Sequence, residues 1–396
     1  MCHAVDIFKK QFLKIIKSAF SEESYNLTDD FDLKEAVNIA NRHNIAPLLY
    51  YGIIHSDISA ENECVQNLFM TTCKFMASGE RQMYEINSIF TAFDNAGIEY
   101  MPLKGTVLKK LYPRPEMRAM GDCDVLIKTE QYAEIRNILK KLGLEEGRES
   151  NHELVWNKKG LYLELHKRLI PSYNKDYYNY FGDGWRLAKS DYGTRYCMKR
   201  EDELIFLFTH FAKHYREAGI GIKHIIDLWL FQKIHTDLDI KYIYTELEKL
   251  KLKEFFVNIN STIDVWFNGK EDNDITDFIT ENIFNSGAFG FGDARIYSSA
   301  LKKSNKSRIV KMKTFINLLF PNYEGMCYKY KFLKKYPYLM YIMWVVRWFD
   351  VLIFNRSRIK RTINRTKEEF SVMTDENIQN YQKSLNFVGL DFDFKD

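Results

Sequence analysis

Apolar residues recur at helical spacing through the first part of the chain. Phe12, Ile16 and Phe20 follow one another four residues apart, and a similar period returns near Leu33. The same spacing predicts a longer helix over residues 70–95 that ends at Gly97, since glycine commonly terminates helices. We therefore predict an all-helical N-terminal region over residues 1–97.

The pattern changes to short apolar runs after residue 97. Runs bounded by turn residues predict strands at 98–103, 122–127, 153–157 and 161–166. Helical spacing predicts a short helix at 107–111 and a second one that Thr129 caps and Gly143 ends. We predict an α/β or α+β core over residues 98–198, in which a mixed sheet is flanked by helices.

Helical spacing resumes at about residue 201 and continues to the end of the chain. The clearest helices are predicted at 203–215, 223–234, 240–250 and 254–267, with a glycine-rich loop at 286–292. We predict a C-terminal helical region over residues 199–396. The small sheet-containing core is thus inserted between two all-helical regions.

The charge is distributed unevenly along the chain. The net charge is only +4, but residues 302–367 contain 17 Lys or Arg and two acids. This basic segment predicts an anionic partner, such as nucleic acid, an acidic lipid surface or a phosphorylated polymer. Residues 337–346 are apolar, but Arg347 and Asp350 interrupt them before the ~20 residues that a span requires. We predict a buried or interfacial helix there and no transmembrane span.

The cysteines and the N-terminus predict a cellular compartment. The six cysteines form no Cys-x-x-Cys pair, a pattern typical of free thiols in a reducing cytosol. The first residues contain an acid, Asp6, and no apolar core that follows a basic start, so they do not resemble a secretory signal. We predict a cytoplasmic protein.

Carboxylates at alternating strand positions are the strongest candidates for chemistry. Asp122 and Asp124 lie two apart in a predicted strand, so their side chains are expected on one face. Two such carboxylates repel each other unless a cation lies between them, and their oxygens suit Mg²⁺ or Mn²⁺. In the strand at 161–166, Glu164 and His166 share the face opposite the leucines. A third carboxylate there is what a two-metal phosphoryl-transfer site needs.

A glycine turn precedes these acids. Lys104, Gly105 and Thr106 stand between a predicted strand and a predicted helix. A glycine there lets the backbone approach a ligand closely, and the N–H groups that begin a helix attract phosphate. Thr106 adds a hydroxyl group, and Lys104 or Arg118 adds a positive charge.

The order of these motifs resembles the DNA polymerase beta-type nucleotidyltransferase superfamily. More narrowly, the chain resembles the bacterial "uncharacterised nucleotidyltransferase" family over roughly residues 35–350. The similar segments are 46–50, 103–106, 111–113, 121–127, 164–166, 210–214, 223–227, 286–290 and 319–321. Two features depart from the wider superfamily: Thr106 replaces the usual serine, and Asp122 follows Gly105 at an interval of 17 positions. We interpret this long interval as a stiff loop over the nucleotide.

The resemblance implies an activity and a set of roles. It implies transfer of a nucleoside monophosphate from a nucleoside triphosphate (NTP) to a hydroxyl acceptor, with release of pyrophosphate and with two Mg²⁺ or Mn²⁺ ions. The implied catalytic and metal-binding residues are Asp122, Asp124 and Glu164. The implied nucleotide-binding residues are Lys104, Gly105, Thr106 and Arg118.

Several interpretations remain open at this point. His210 and His214 are four residues apart, with Asp227 close behind, and they fit either a transition-metal site or the acceptor side of the cleft. His166 fits an orienting contact with Glu164, the acceptor side or a structural hydrogen bond. The acceptor itself is open: tRNA or another nucleic acid, a small molecule and a glycan all fit. Two other functions compete, a catalytically inactive nucleotide- or RNA-binding module and a protein associated with the membrane surface.

Overall fold

The chain forms two compact units. The structure is a computed structural model that describes residues 7–390 apart from 22, 29, 151, 172–173, 218, 288–291, 305 and 355. The first unit comprises Met1–Tyr215, Gly219–Gly290 and Val388–Asp391, and the second comprises Arg216–Ala218, Phe291–Phe387 and Phe392–Asp396. The centre of the predicted glycine-rich loop lies outside the described residues. The three regions distinguished along the sequence stay a prediction of domain organisation.

Helices precede the first strand. They are α1 (Ile7–Ser18), α2 (Leu33–Arg42), α3 (Ala46–Ile53) and α4 (Glu63–Asn95). The spacing of Phe12 and Ile16 explains α1, because both side chains are fully buried. Helix α4 begins seven residues before the predicted start at Met70. Its N-terminus is capped by Asn62, whose side chain accepts a hydrogen bond from the backbone N–H of Cys64 at 2.9 Å.

One mixed sheet organises the first unit. In the described part of the chain it contains β1 (Tyr100–Pro102), β2 (Cys123–Ile127), β3 (Glu145–Glu149), β4 (Glu153–Lys158), β5 (Leu161–His166), β6 (Ala188–Tyr192) and β7 (Arg195–Met198). Their order is β3-β4-β5-β2-β1-β7-β6. The pairs β2·β5 and β1·β7 are parallel and the other neighbours are antiparallel. The predicted mixed sheet with flanking helices is confirmed.

Some elements differ from the prediction. The apolar pattern did not predict β3, β6 or β7. Strand β3 reads Glu-Glu-Gly-Arg-Glu and is exposed along its whole length, so it has no apolar alternation and depends on pairing with β4. The prediction that Thr129 caps a helix was wrong. Residues Thr129–Gln131 form a 3-10 turn, and α6 (Tyr132–Lys141) follows without a side-chain cap.

The central strands have two different faces. Val125 of β2 and Leu163 of β5 belong to a buried core with residues of α4 and α6, such as Phe93. Because side chains alternate along a strand, Asp124 and Glu164 point away from this core. Burial of the apolar face therefore fixes the direction in which the polar residues point.

Further helices complete the first unit. They are α5 (Gly105–Leu108), α7 (Lys175–Phe181), α8 (Arg200–Glu217), α9 (Ile222–Ile234), α10 (Ile240–Lys249), α11 (Lys253–Phe267) and α12 (Asp274–Ser286). The four helices predicted between residues 203 and 267 are present with small changes at their ends. Helix α9 is buried on most of its surface. It therefore belongs to the core that supports the polar face of the sheet.

The second unit is helical in its described residues. Its helices are α13 (Gly292–Leu301), α14 (Ser307–Leu319), α15 (Tyr323–Lys329), α16 (Met340–Phe354), α17 (Arg356–Val372) and α18 (Asp375–Phe387). Across the described residues of the whole chain, no helix has both the length and the apolar character that crossing a membrane demands. The predicted helix at the apolar segment 337–346 is largely α16.

Candidate active site

A cleft lies between the polar face of the sheet and helices α8 and α9. Its volume is about 280 Å³. One wall comes from the Lys104 turn, residues 118–124 and strands β4 and β5, and the other from α8 and α9. All but one of the candidate site residues predicted from the sequence line this cleft. Those that do are Lys104, Gly105, Arg118, Asp122, Asp124, Glu164, His166, His210, His214 and Asp227.

Asp124 is the most constrained acid in the cleft. It is buried, and its Oδ1 accepts hydrogen bonds from the Lys104 ammonium at 2.8 Å and from Nε2 of His166 at 2.7 Å. Burial alone would raise the pKa of Asp124, but the charge of Lys104 and the contact with His166 outweigh burial and hold that pKa well below its usual range. Asp124 is therefore a stable carboxylate anion.

Glu164 lies beside Asp124 on the neighbouring strand. The two residues are paired in the parallel register of β2 and β5, and Oε2 of Glu164 is 3.7 Å from Nε2 of His166. Burial, followed by repulsion from Asp124, raises the pKa of Glu164 to about 7. The pKa values of the two neighbouring carboxyl groups are thus widely separated.

These residues form a set of possible metal ligands. Ligand atoms of Asp124, Glu164 and His166 lie within 4.8 Å of one another, and no other trio in the described residues meets this criterion. A divalent cation would relieve the repulsion that raises the pKa of Glu164. Nδ1 of His166 is buried and has no hydrogen-bond partner in the described structure, so it can accept one from a bound group. The set fits Mg²⁺ or Mn²⁺, and the imidazole suits Mn²⁺ better.

Asp122 occupies a different position from the one the sequence predicts. Strand β2 begins at Cys123, so Asp122 precedes the strand. It is exposed and lines the cleft, but it is not part of the ligand trio. Its roles in catalysis and metal binding stay predictions. The trio includes His166, for which the sequence suggested an orienting, acceptor-side or structural role and not a ligand role.

The Lys104 turn has an unusual backbone. Lys104 has φ 45° and ψ −116°, a region that favours glycine. The turn is closed by a hydrogen bond from the N–H of Thr106 to the carbonyl of Leu103 at 3.2 Å. A non-glycine residue in this conformation costs about 1–3 kcal/mol, and such strain is common at functional sites. The turn directs the Lys104 ammonium to Asp124.

Gly105 and Thr106 contact the protein itself. A Cβ atom at Gly105 would lie 3.0 Å from Nη1 of Arg118 and from the side chain of Met120. The glycine therefore admits these two side chains. Thr106 is buried, does not line the cleft, and has its hydroxyl 3.5 Å from Sγ of Cys123. Nucleotide binding by Gly105 and Thr106 stays a prediction.

Arg118 forms a buried ion pair with Asp227. Its Nε donates to Oδ1 at 2.7 Å and its Nη2 to Oδ2 at 2.9 Å, and the Tyr112 hydroxyl also donates to Oδ1 at 2.8 Å. Burial would raise the pKa of Asp227, but the Arg118 charge and hydrogen bonds outweigh it and lower that pKa. These contacts tie the long interval between Gly105 and Asp122 to α9. Arg118 also lines the cleft, and its contact with nucleotide stays a prediction.

The opposite wall is rich in histidine and lysine. The rings of His210 and His214 are 4.3 Å apart in an edge-on arrangement. Burial lowers the pKa of His210 well below its usual value, and burial together with Lys223 lowers that of His224 to about 3. The rings of His210 and His224 are therefore neutral at physiological pH. With Asp227 held by Arg118, the described residues contain no metal-ligand trio on this wall.

Sequence reasoning missed His152 and Glu153. Both line the cleft, and Nε2 of His152 lies 3.0 Å from Oε2 of Glu153. This hydrogen bond with His152 is the main cause that lowers the pKa of Glu153 to about 2. The two-residue turn after Lys158 was the available signal, because it pairs Lys158 with Leu161 and thereby places Glu153 opposite His166.

The fold and the cleft define a nucleotidyltransferase-type core: a glycine turn beside carboxylates on adjacent parallel strands of a mixed sheet. The family described as "Uncharacterised nucleotidyltransferase" matches residues 29–268, which is more than half of the chain. The chain belongs to this family. The family resemblance seen in the sequence is confirmed, and the protein is a nucleotidyltransferase-family protein.

Two solved structures are also similar to the chain. The solution structure of the antibiotic-resistance factor ANT(2'')-Ia has 15% sequence identity and a TM-score of 0.32, over 47% of this chain and 97% of that one. The crystal structure of ANT(2'')-Ia in complex with adenylyl-2''-tobramycin has 15% identity and a TM-score of 0.33, over 43% of this chain and 97% of that one. No curated protein matches the chain.

Proposed function

We propose that the protein transfers a nucleoside monophosphate from a nucleoside triphosphate to a hydroxyl acceptor. The observation that carries this proposal is the pairing of Asp124 with Glu164 on adjacent parallel strands, inside a cleft. Oxygen ligands in this arrangement suit the divalent cation that nucleotidyl transfer uses. Membership of the family supports the same reaction class.

The residues of the cleft have different proposed roles. Asp122, Asp124 and Glu164 would hold one or two Mg²⁺ or Mn²⁺ ions, which when bound neutralise the charge of the triphosphate. Lys104 lies beside the same carboxylates and supplies a positive charge for phosphate oxygens. His166 donates to Asp124 and orients its carboxylate. Catalysis then rests on positioning and on charge stabilisation.

Glu164 is suited to activate the acceptor. Its pKa is about 7 without an ion, and a bound divalent cation would lower that pKa and favour the carboxylate. With Asp124, the Glu164 carboxylate would hold the ion, which when bound supplies Lewis-acid activation of the acceptor. In the proposed step the acceptor oxygen loses its proton to water and attacks the α-phosphorus. The bond from the α-phosphorus to the bridging oxygen breaks, and pyrophosphate leaves with the electron pair. Atoms and charge balance without a further reactant.

The wall formed by α8 and α9 is the proposed acceptor side. His210 and His214 face the cleft from α8, and Asp227 fixes Arg118 at its edge. Burial lowers the pKa of His210 and keeps its imidazole neutral, and a neutral imidazole donates to or accepts from hydroxyl groups.

A cytoplasmic location stays a prediction. The described cysteines are free thiols: Cys64, Cys73, Cys123, Cys197 and Cys327.

Label transfer tests the proposal directly. The protein is incubated with each of the four α-labelled nucleotides in Mg²⁺ or Mn²⁺, with tRNA, a glycan mixture or a small-molecule extract as acceptor. We expect transfer to one acceptor class with stoichiometric pyrophosphate. Asp124→Asn and Glu164→Gln should each lower the rate by at least about 10²-fold, because each replaces an anionic carboxylate ligand with a neutral amide. Glu145→Gln, on the exposed strand β3, is the matched control and should leave the rate unchanged.

The negative results are also informative. If no nucleotide yields transfer with either ion, the proposal is wrong and a nucleotide- or RNA-binding module takes its place. If Asp124→Asn keeps the wild-type rate, transfer does not occur in this cleft.

A further inference from the structure

Helix α16 of the second unit presents an exposed apolar stripe. Its members lie on one face of the helix and of the turn before it, at spacings of three and four residues, and each is 44–71% exposed. The exposed stripe consists of Tyr338, Tyr341, Ile342, Val345, Val346 and Phe349. Soluble surfaces normally scatter such residues singly, so a contiguous stripe indicates an interaction surface.

The opposite face of α16 is held by specific contacts. The indole N–H of Trp344 donates to the carbonyl of Pro321 at 2.9 Å, and that of Trp348 to the carbonyl of Leu319 at 2.7 Å. Nη1 of Arg347 donates to the carbonyl of Leu318 at 3.2 Å. These donors satisfy carbonyl groups at the C-terminal end of α14 and two residues beyond it. The rotation of α16 is therefore set by hydrogen bonds, and the stripe faces outward as a consequence.

Exposed lysines stand directly before the stripe. Lys331, Lys334 and Lys335 are exposed in the turns that lead into α16. Phe332, between the first two lysines, and Tyr336, after the third, are exposed as well. The surrounding segment, residues 302–367, contains 17 Lys or Arg against two acids. The stripe of aliphatic and aromatic side chains is thus preceded by three exposed lysines, within a segment that carries a large excess of positive charge.

We propose that the exposed stripe and the three lysines dock the protein on an anionic lipid bilayer surface. Helix α16 has 15 residues, and no helix among those described can cross a membrane, so the helix lies in the plane of the interface. Tyrosine and lysine side chains bordering an aliphatic stripe match the boundary between headgroups and acyl chains. The positive charge complements anionic headgroups.

The aliphatic members favour lipid over nucleic acid. Ile342, Val345 and Val346 have no π-face on which a base could stack, whereas single-stranded nucleic acids bind stacking aromatic platforms. Burying them in acyl chains releases their apolar surface from water. This inference does not rest on the proposed nucleotidyl transfer, and vesicle binding is measured without nucleotide.

Vesicle sedimentation with the full chain tests the stripe. We expect binding to phosphatidylcholine vesicles that contain phosphatidylserine, and weak binding to phosphatidylcholine alone. The variant Ile342→Gln, Val345→Gln, Phe349→Gln should partition at least about tenfold more weakly. A matched control, Met70→Gln, Tyr84→Gln, Tyr192→Gln, replaces equally exposed apolar residues of the first unit and should bind as the wild type does.

A second variant separates charge from apolar contact. Lys331→Gln, Lys334→Gln, Lys335→Gln should weaken binding to phosphatidylserine vesicles about tenfold to a hundredfold, and added salt should have the same effect. The control Lys140→Gln, Lys141→Gln, Lys159→Gln removes three exposed lysines elsewhere and should leave binding close to wild type. Circular dichroism is used to check that all four variants are folded, and only folded variants are compared.

Other outcomes overturn the proposal. One is equal vesicle binding by the stripe variant and its control. Another is that the wild type does not bind vesicles and is a dimer in light scattering, whereas the stripe variant is a monomer. The stripe would then be the contact surface with a second copy of the chain. A third is that the wild type binds tRNA but not vesicles, and that only the lysine variant loses tRNA binding.

Discussion

Two buried ion pairs in the same cleft differ in how completely their carboxylates are bound. Both oxygens of Asp227 are engaged by Arg118, and Tyr112 adds a third hydrogen bond. At Asp124 the contacts with Lys104 and His166 both fall on Oδ1, and no described residue donates to Oδ2. The first pair is saturated by protein groups, whereas the second keeps an oxygen for another ligand.

This difference separates structural from chemical roles. A planar guanidinium bound through two parallel hydrogen bonds holds one geometry, and here it fastens the long interval after Gly105 to α9. A lysine ammonium makes a point contact on a flexible stem and exchanges partners more easily. We infer that the Arg118–Asp227 pair maintains the shape of the cleft, and that Asp124 is the acid available to a cation.

The largest expected effect comes from breaking the saturated pair. Arg118→Leu leaves Asp227 as a buried charge without its counter-ion and should lower the free energy of unfolding by about 3–5 kcal/mol in urea titrations. The double variant with Asp227→Leu should be more stable than the single variant, since it removes the stranded charge. A loss below about 1 kcal/mol for Arg118→Leu would show that the pair is not structural.

Metal binding should depend on the other pair. At a Mn²⁺ concentration about 100 times its dissociation constant, the wild type should gain about 2.7 kcal/mol of stability, because the ion binds only the folded state. Asp124→Asn should lose this gain, whereas Glu145→Gln on β3 should keep it. Thermal melting with and without the ion measures the difference. An equal gain of stability in Asp124→Asn would show that the ion binds at another site.

The pH dependence of stability should reveal Glu164. Its pKa is about 7 in the folded protein against an ordinary value of 4.5, so the folded state binds more protons between these values and stability falls as pH rises from about 4.5 to 7. Glu164→Gln should remove this loss, and without metal it should be about 1–2 kcal/mol more stable than the wild type at pH 8. The two should converge near pH 4.5. A constant difference across pH would exclude titration of Glu164 as the cause.

The smallest expected effect isolates the backbone of the Lys104 turn. Lys104→Gly and Lys104→Ala both remove the ammonium contact with Asp124, but only glycine tolerates φ 45° without strain. Lys104→Gly should therefore be more stable than Lys104→Ala by roughly 1 kcal/mol in thermal melts. The reverse order would mean that the turn relaxes when the ammonium contact is lost.

The sequence predicted the elements whose pattern is local. Alternation in Leu161–His166 identified β5, because the leucines of that strand are buried and Tyr162 between them is exposed. Cys123–Ile127 was identified by its short apolar run, and all five of its residues are buried. Helical spacing located α8 to α11 closely. Strand β3 could not be predicted this way, since its charged residues adopt the strand only by pairing with β4.

The partners of the charged residues were not readable from spacing. Arg118 and Asp227 are 109 positions apart, and their pairing depends on how the loop after Gly105 packs against α9. The contact of the Thr106 hydroxyl with Cys123 was not readable from the sequence either. The geometry of the turn, and not the residue type, sets the direction of that side chain. His166 joined the acids because it extends from a parallel strand at the register of Leu126.

By itself, the sequence determined the family, the mixed sheet between helices, and the identity of the carboxylates that face the cleft. These follow from local periodicity and from motif order. Only the tertiary structure decided which acid is saturated and which is open, that Asp122 stands outside the ligand trio, and that the α16 stripe faces outward. Those properties depend on contacts between residues distant in the chain, and long-range packing alone sets such distances and burial.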